Sequence, residues 1–207
     1  MPTAVKICGI TQVEHGLAAA RAGAQAIGVV FAPGSPRRVS IDQAARIVAS
    51  LPPFVSTVGL FVDPGADLVR SVLDRMPLSL LQFHGDEPES FCRQFNWPYI
   101  KAIRVRPETP LLECAAQYSS AKGVLLDAFV AGTHGGTGAA FDWRMIPPDL
   151  PLPVVLAGGL SPRNVAEAIR QVRPWAVDVS SGVEKDKGIK DPAKIAAFME
   201  EVRNADV

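Results

Sequence analysis

Lys6 and Cys8 stand two residues apart in Val5-Lys6-Ile7-Cys8-Gly9-Ile10-Thr11, a stretch of strand length that ends in a glycine turn. Side chains alternate across a strand, so the ammonium and the thiol share one face while Val5 and Ile7 take the other. A thiol acts as a base or nucleophile only as the thiolate, and a neighbouring cation favours that form. Taken alone, a cysteine is more often a buried, inert side chain. Asp127 closes the apolar run Val124-Leu125-Leu126. A carboxyl group at such an edge can keep a proton to donate, or it can cap a helix or pair in a loop.

Other candidates suit anion binding. Leu156-Ala157-Gly158-Gly159-Leu160 and Asp178-Val179-Ser180-Ser181-Gly182-Val183 follow two late apolar runs. Small residues let backbone amides approach a ligand, and a short helix beginning near Ser181 would turn its positive end to an anion. Two tight turns are the plainer reading. Arg37 or Arg38 could fork onto a carboxylate, although a lone loop arginine is usually solvated. His84 ends another apolar run, His15 reads as a surface position in a helix, and His134 lies in a glycine-rich loop where it could close over a ligand. Trp97, Trp143 and Trp175 read as packing anchors. The three cysteines, Cys8, Cys92 and Cys114, lack metal-ligand or CxxC spacing, so no disulfide framework or metal site is expected. Cys92 and Cys114 fall in helical patterns and read as buried small hydrophobes.

The elements that position these residues alternate along the chain. Thr11 suits the cap of a helix over 12–22 that ends at Gly23, and Ala26 to Phe31 is a nearly continuous apolar run. Ser40 suits the cap of a helix over 41–50. Further strands are expected at Phe54–Val62, Leu78–His84, Tyr99–Ile103, Gly123–Asp127, Val154–Ala157 and Ala176–Val179. Helices are expected over 66–75, 88–94, 109–118, 162–171 and 192–203, with a short one from Asp142. Eight strand-then-helix units predict an α/β fold, a single-domain (β/α)8 TIM barrel over residues 1–207. An open doubly wound sheet would need a nucleotide fingerprint, and the glycines between 132 and 138 have neither dinucleotide nor P-loop spacing.

Strand parity sharpens this reading. Lys6 with Cys8, Gln82 with His84, and Asp178 with Ser180 are each two apart and should face the barrel mouth. First and eighth strands adjoin in a closed barrel, which predicts an internal Lys6–Asp178 ion pair. Barrel enzymes place their chemistry at the carboxyl ends of the strands, and their phosphate sites after the last two.

Composition narrows the partners. Lys and Arg balance Asp and Glu at 21 each, which leaves no basic surplus for nucleic acid. The apolar runs are too short to cross a membrane and no signal-like core opens the chain, so a cytoplasmic protein acting on a small molecule is expected.

Several segments together resemble the N-(5'-phosphoribosyl)anthranilate isomerase family of tryptophan biosynthesis. They are Lys6 to Thr11, Phe31-Ala32-Pro33-Gly34-Ser35-Pro36-Arg37, Gln82-Phe83-His84-Gly85, Gly135-Gly136-Thr137-Gly138 with Phe141-Asp142-Trp143, and Asp178 to Glu184. The resemblance implies a cofactor-free, metal-free Amadori rearrangement of a phosphorylated substrate, with Asp127 as general acid and Cys8 as general base. It also implies Arg37 on the anthranilate carboxylate, backbone amides around Gly158, Gly159, Ser181 and Gly182 on the 5'-phosphate, and His84 and Asp178 in the substrate site. Ala139-Ala140 stands where family members often carry a lysine. Another sugar-phosphate isomerase or epimerase, or a non-catalytic barrel that binds a phosphometabolite, are the competing readings; either a monomer or a homodimer is compatible with them.

Overall fold

The structure is a computed structural model that describes residues 2–128 and 142–205. Its strands are β1 (Ala4–Ile7), β2 (Ala26–Val30), β3 (Ser56–Phe61), β4 (Leu80–Phe83), β5 (Tyr99–Val105), β6 (Val124–Ala128), β7 (Val154–Leu156) and β8 (Ala176–Val179). They pair in chain order, all parallel, and β8 closes on β1. The expected closed barrel is the fold, and the open sheet is excluded.

The helices are α1 (Val13–Ala22), α2 (Ile41–Ser50), α3 (Ala66–Arg75), α4 (Glu89–Arg93), α5 (Leu111–Gln117), α6 (Val165–Val172) and α7 (Pro192–Ala205). A 3-10 turn over Trp143–Met145 precedes β7, with the Asp142 carboxylate accepting from the Arg144 amide at 3.0 Å. Gly23, at φ 99°, ends α1 in the left-handed conformation. Ser40 Oγ accepts from the Gln43 amide at 3.1 Å and starts α2 as expected. Thr11 does not cap α1. Its hydroxyl donates instead to the Gly188 carbonyl at 2.6 Å, and α1 begins after Gln12 without a side-chain cap.

Parity along the strands is as the alternation requires. Val5, Ile7, Val177 and Val179 are each at most 1% exposed and pack outward against the helices. Phe61 and Phe83 join the same outer layer, with ring centroids 6.1 Å apart. Fully burying an aliphatic or aromatic side chain stabilises by about 1.5–3 kcal/mol, so this layer is the main hold on the barrel. Inside, Ile100, Ala102, Leu125 and Ala157 fill the barrel, while Cys8, Val30, Ala32 and Leu60 form a second apolar patch nearer its mouth.

Some expectations fail locally. The third strand starts at Ser56; Phe54 has φ 69° and is fully exposed before it. His15 is buried rather than at the surface, and burial followed by the nearby Lys190 charge lowers its pKa. Trp97 and Trp175 are exposed, so only half-buried Trp143 packs on the core as an anchor. Cys92 is buried, whereas Cys114 is only half-buried. A hairpin follows β8 that the sequence pattern does not show: β9 (Glu184–Asp186) and β10 (Ile189–Lys190) pair antiparallel through Gly188 at φ 79°. Its charged residues lack the apolar alternation of a strand.

Candidate active site

The carboxyl ends of the strands enclose a cavity of about 910 Å³. Cys8, Arg37, His84, Asp127, Gly158, Gly159, Asp178 and Ser181 line it, so most of the expected site residues meet in one space. Gly182 lies behind this wall, with the Leu160 carbonyl against the position a Cβ would take. Only glycine lets the turns after β7 and β8 approach so closely. Gly158 and Gly159 have φ of 83° and 67°, a region that L side chains rarely adopt. Asn164 holds this turn, accepting from the Ser161 amide at 2.8 Å and donating to the Gly159 carbonyl at 3.0 Å. The 3-10 turn Ser181–Val183 stands where a short helix was expected.

Cys8 directly follows β1, its amide donating to the Val179 carbonyl at 2.9 Å, beside an internal ion pair. The register sets Lys6 opposite Asp178, and Lys6 Nζ lies 2.8 Å from Asp178 Oδ1 with both side chains buried. Burial pulls the Lys6 ammonium down, but Asp178 and Cys8 outweigh it and leave its pKa raised. The expected thiolate is not favoured. Burial pushes the Cys8 thiol above its ordinary value, and the opposing Lys6 charge, itself countered by Asp178, does not reverse it. Gly28 on β2 makes room for the sulfur: a Cβ there would stand 2.9 Å from Cys8 Sγ and 3.1 Å from Lys6 Cε.

Across the mouth, His84 Nε2 lies 3.1 Å from Asp127 Oδ2, and Gln82 Nε2 lies 3.0 Å from His84 Nδ1. Gln82 is fully buried, and its position two residues before His84 was the signal that placed it here. Arg37 is not the solvated loop arginine its context suggests. Its Nε and one terminal nitrogen donate to Glu184 Oε1 and Oε2 at 2.7 and 2.8 Å, a two-point fork. Ser180 lines the cavity as its parity with Asp178 predicts, and so do Glu184 and Lys187, to which the strand pattern did not point. Lys101, Glu87 and the Gly85 backbone form a buried network beneath His84; Lys101 Nζ lies 2.7 Å from Glu87 Oε2 and 2.6 Å from the Gly85 carbonyl. Among the described residues, no three His, Cys, Asp or Glu side chains gather as a metal site. His134, the glycines 135–138, Ala139, Ala140 and Phe141 lie outside the described residues.

A closed parallel barrel with a thiol and a carboxyl group in one cavity at the carboxyl ends of its strands, and glycine turns after the last two, is a (β/α)8 barrel with its candidate site where enzymes of this fold place their chemistry. The profile of the N-(5'phosphoribosyl)anthranilate (PRA) isomerase family matches residues 5–201. The chain belongs to that family. It is similar to an N-(5'-phosphoribosyl)anthranilate isomerase of Thiobacillus denitrificans, 59% identical over 203 residues that cover 98% of this chain and 99% of the relative. The solved phosphoribosyl anthranilate isomerase of Thermotoga maritima superposes with TM-score 0.90 at 40% identity, covering 98% of this chain and 99% of the other. A second solved isomerase, in complex with reduced 1-(o-carboxyphenylamino)-1-deoxyribulose 5-phosphate, gives TM-score 0.87 at 39% identity over the same shares.

Proposed function

We propose that this chain, as one barrel domain, converts N-(5'-phosphoribosyl)anthranilate into 1-(2-carboxyphenylamino)-1-deoxyribulose 5-phosphate, an aldose-to-ketose isomerisation in tryptophan biosynthesis. The observation that carries the assignment of roles is that Cys8 and Asp127 line the same cavity from nearly opposite sides of the barrel. The turns at Gly158, Gly159 and Ser181, with Gly182 behind them, hold the 5'-phosphate. Arg37 meets the anthranilate carboxylate with its free guanidinium edge, and the apolar patch of Val30, Ala32 and Leu60 accepts the aromatic ring. Holding both ends of the substrate fixes the reacting carbons between acid and base.

Asp127 donates its proton to the ribose ring oxygen, the C1'–O bond breaks, and the anthranilate nitrogen becomes a protonated Schiff base. Cys8 acts as the thiolate, its thiol proton given up to water at the cavity mouth; burial disfavours that form in the free protein, and the charge of the new cation favours it. The thiolate takes the C2' proton, the electron pair moves to the nitrogen as an enolamine, and tautomerisation gives the ketone. No cofactor or metal enters these steps. His84 holds Asp127 and faces the substrate, and Asp178 keeps Lys6 beside Cys8.

The test follows the fluorescence of phosphoribosylanthranilate as purified protein consumes it, with Cys8→Ser and Asp127→Asn in parallel. Turnover by the parent with loss in both variants supports the reading. Full turnover in either variant removes that residue from its role, and tight binding without turnover in the parent favours a sensor.

The homodimer is the better supported of the two assembly states. Phe54, Trp97 and Trp175 all precede strands, on the amino-terminal face of the barrel, and all three are exposed. Phe54 also sits at a positive φ that costs about 1–2 kcal/mol in a non-glycine residue. No helix among the described residues is long and apolar enough to cross a membrane.

A further inference from the structure

The proposed chemistry leaves one fully buried cation unused. Lys190 on β10 is 0% exposed and lines no part of the cavity. Its Nζ lies 2.8 Å from Glu184 Oε1, 3.0 Å from the Ser180 carbonyl and 3.3 Å from Ser180 Oγ. Glu184 is the carboxylate that forks onto Arg37, and Arg37 in turn lies against the turn after Cys8: a Cβ on Gly9 would stand 2.6 Å from Arg37 Cδ and 3.1 Å from Ser180 Oγ. Hairpin, arginine loop, first turn and the end of β8 therefore converge on one carboxylate held by one ammonium.

The charges do not cancel there. Arg37 and Lys190 share the single carboxylate of Glu184, while Lys6 and Asp178 balance each other. Lys190 reaches Ser180 Oγ, which lies 3.1 Å from where a Cβ on Gly9 would stand, so the surplus positive charge sits one residue from Cys8. The other charged or titratable groups around Cys8 are Lys6, Asp178, Arg37, Glu184, Lys187, Asp127 and His84. Burial depresses the Lys190 ammonium against the pull of Glu184, and burial of Glu184 is outweighed by its bonds to Arg37 and Lys190, so its carboxyl is held below its ordinary range.

We propose that Lys190 is a positioning residue of this site: through Glu184 it fixes the Arg37 guanidinium at the cavity wall, and its surplus positive charge stabilises ionised Cys8. The proposal rests on the roles given to Cys8 and Arg37 above, but its test requires no turnover. The pH dependence of Cys8 alkylation by iodoacetamide is measured by peptide mass spectrometry, which separates Cys8 from Cys92 and Cys114. Lys190→Met is expected to move the alkylation midpoint up by about one pH unit, the scale of one charge nearby in a partly screened interior. Glu184→Gln strips the carboxylate from two cations and is expected to move it down by a similar amount. A merely structural role predicts no such opposition of sign. Midpoints that stay at the parent value, or that move the same way in both variants, overturn the proposal. If Lys190→Met fails to fold by circular dichroism, Glu184→Gln decides alone: an unchanged or raised midpoint overturns it. Where the enzyme turns over, both variants should also raise KM several-fold as Arg37 loses its anchor; absence of turnover in the parent would count against the isomerase reading and leave the alkylation result standing.

Discussion

His84 Nε2 stands 3.1 Å from Asp127 Oδ2 and is held from behind by Gln82, so the proposed acid ends a three-residue chain inside the barrel. With its amide nitrogen turned to the ring, Gln82 donates to His84 Nδ1, the arrangement that sets the ring proton on Nε2 toward Asp127. Gln82→Leu removes that orientation without touching substrate. The expected result is a kcat lower by roughly tenfold with KM little changed, against a loss of about 10²–10⁴-fold in Asp127→Asn. Parent-like kcat in Gln82→Leu would show that the chain orients nothing of consequence.

Gly28 bears on the other half of the reaction. An added methyl would meet Cys8 Sγ at 2.9 Å and Lys6 Cε at 3.1 Å, and the Cys8 backbone at 3.3 Å blocks retreat. Gly28→Ala should therefore swing the sulfur away from the substrate carbon, lowering kcat by about 10- to 100-fold, the range that a displacement near 1 Å can produce. Circular dichroism and a melting curve separate this from unfolding. A folded Gly28→Ala protein with undiminished kcat would place the reacting carbon elsewhere.

The lone Phe54 ring tests assembly. If the amino-terminal face joins two copies, Phe54→Asp puts a charge into that contact and should shift the protein from dimer to monomer by light scattering. An unchanged mass would mean that another surface, or none, holds the copies together.

What was legible in the sequence follows from periodicity. Strand alternation set Cys8, His84 and Asp178 at one mouth, because a two-residue repeat leaves no freedom once one face is apolar, and Asp127 joins them from its place at a strand end. The Lys6–Asp178 pair followed from parity together with closure of the barrel. The β9–β10 hairpin was not legible: Glu184 to Lys190 is charged, and its order comes in part from a contact distant in sequence, Thr11 to Gly188. For the same reason the sequence offered Arg37 as a residue for a substrate carboxylate but did not show its pairing with Glu184, which lies 147 residues away. His15 was misplaced because a polar residue in a helix says nothing of what later folds over it. The Cys8 thiol went astray in magnitude: a nearby cation was correctly placed, but burial outweighs it.

The internal Lys6–Asp178 pair should matter greatly to stability when half of it is lost. Both side chains are buried, and Lys6 keeps its charge because Asp178 and Cys8 hold its pKa up against burial. Asp178→Asn leaves that ammonium without a counter-charge, and urea unfolding at neutral pH should show a loss of about 3–5 kcal/mol. Replacing both partners by apolar residues, Lys6→Met with Asp178→Leu, should cost clearly less than the single change. A double variant as unstable as Asp178→Asn would mean that the pair is worth its full Coulomb energy.

Alkaline pH tests the remaining buried acids. Burial is the leading cause that raises Cys8, Cys92, Cys114, Tyr99 and Tyr118, with Cys92 and Tyr118 each pushed to about 12. Each of these groups is neutral while protonated, so a raised folded pKa means the native state holds its proton longer than the unfolded chain does. Their stabilisation is full below the unfolded thiol value near 9.0 and is lost as pH rises toward about 12. Urea midpoints should therefore hold from neutral pH to about 9 and then fall steeply. Cys92 has the clearest share, since it is fully buried on α4 and its sulfur finds only a distant carbonyl, Glu87 at 4.0 Å. Cys92→Ala should start lower at neutral pH, because a cavity replaces the sulfur, yet decline less between about pH 9 and 11 than the parent. Parallel declines in parent and variant would show that this thiol ionises alike in the folded and unfolded chains, contrary to what its burial requires.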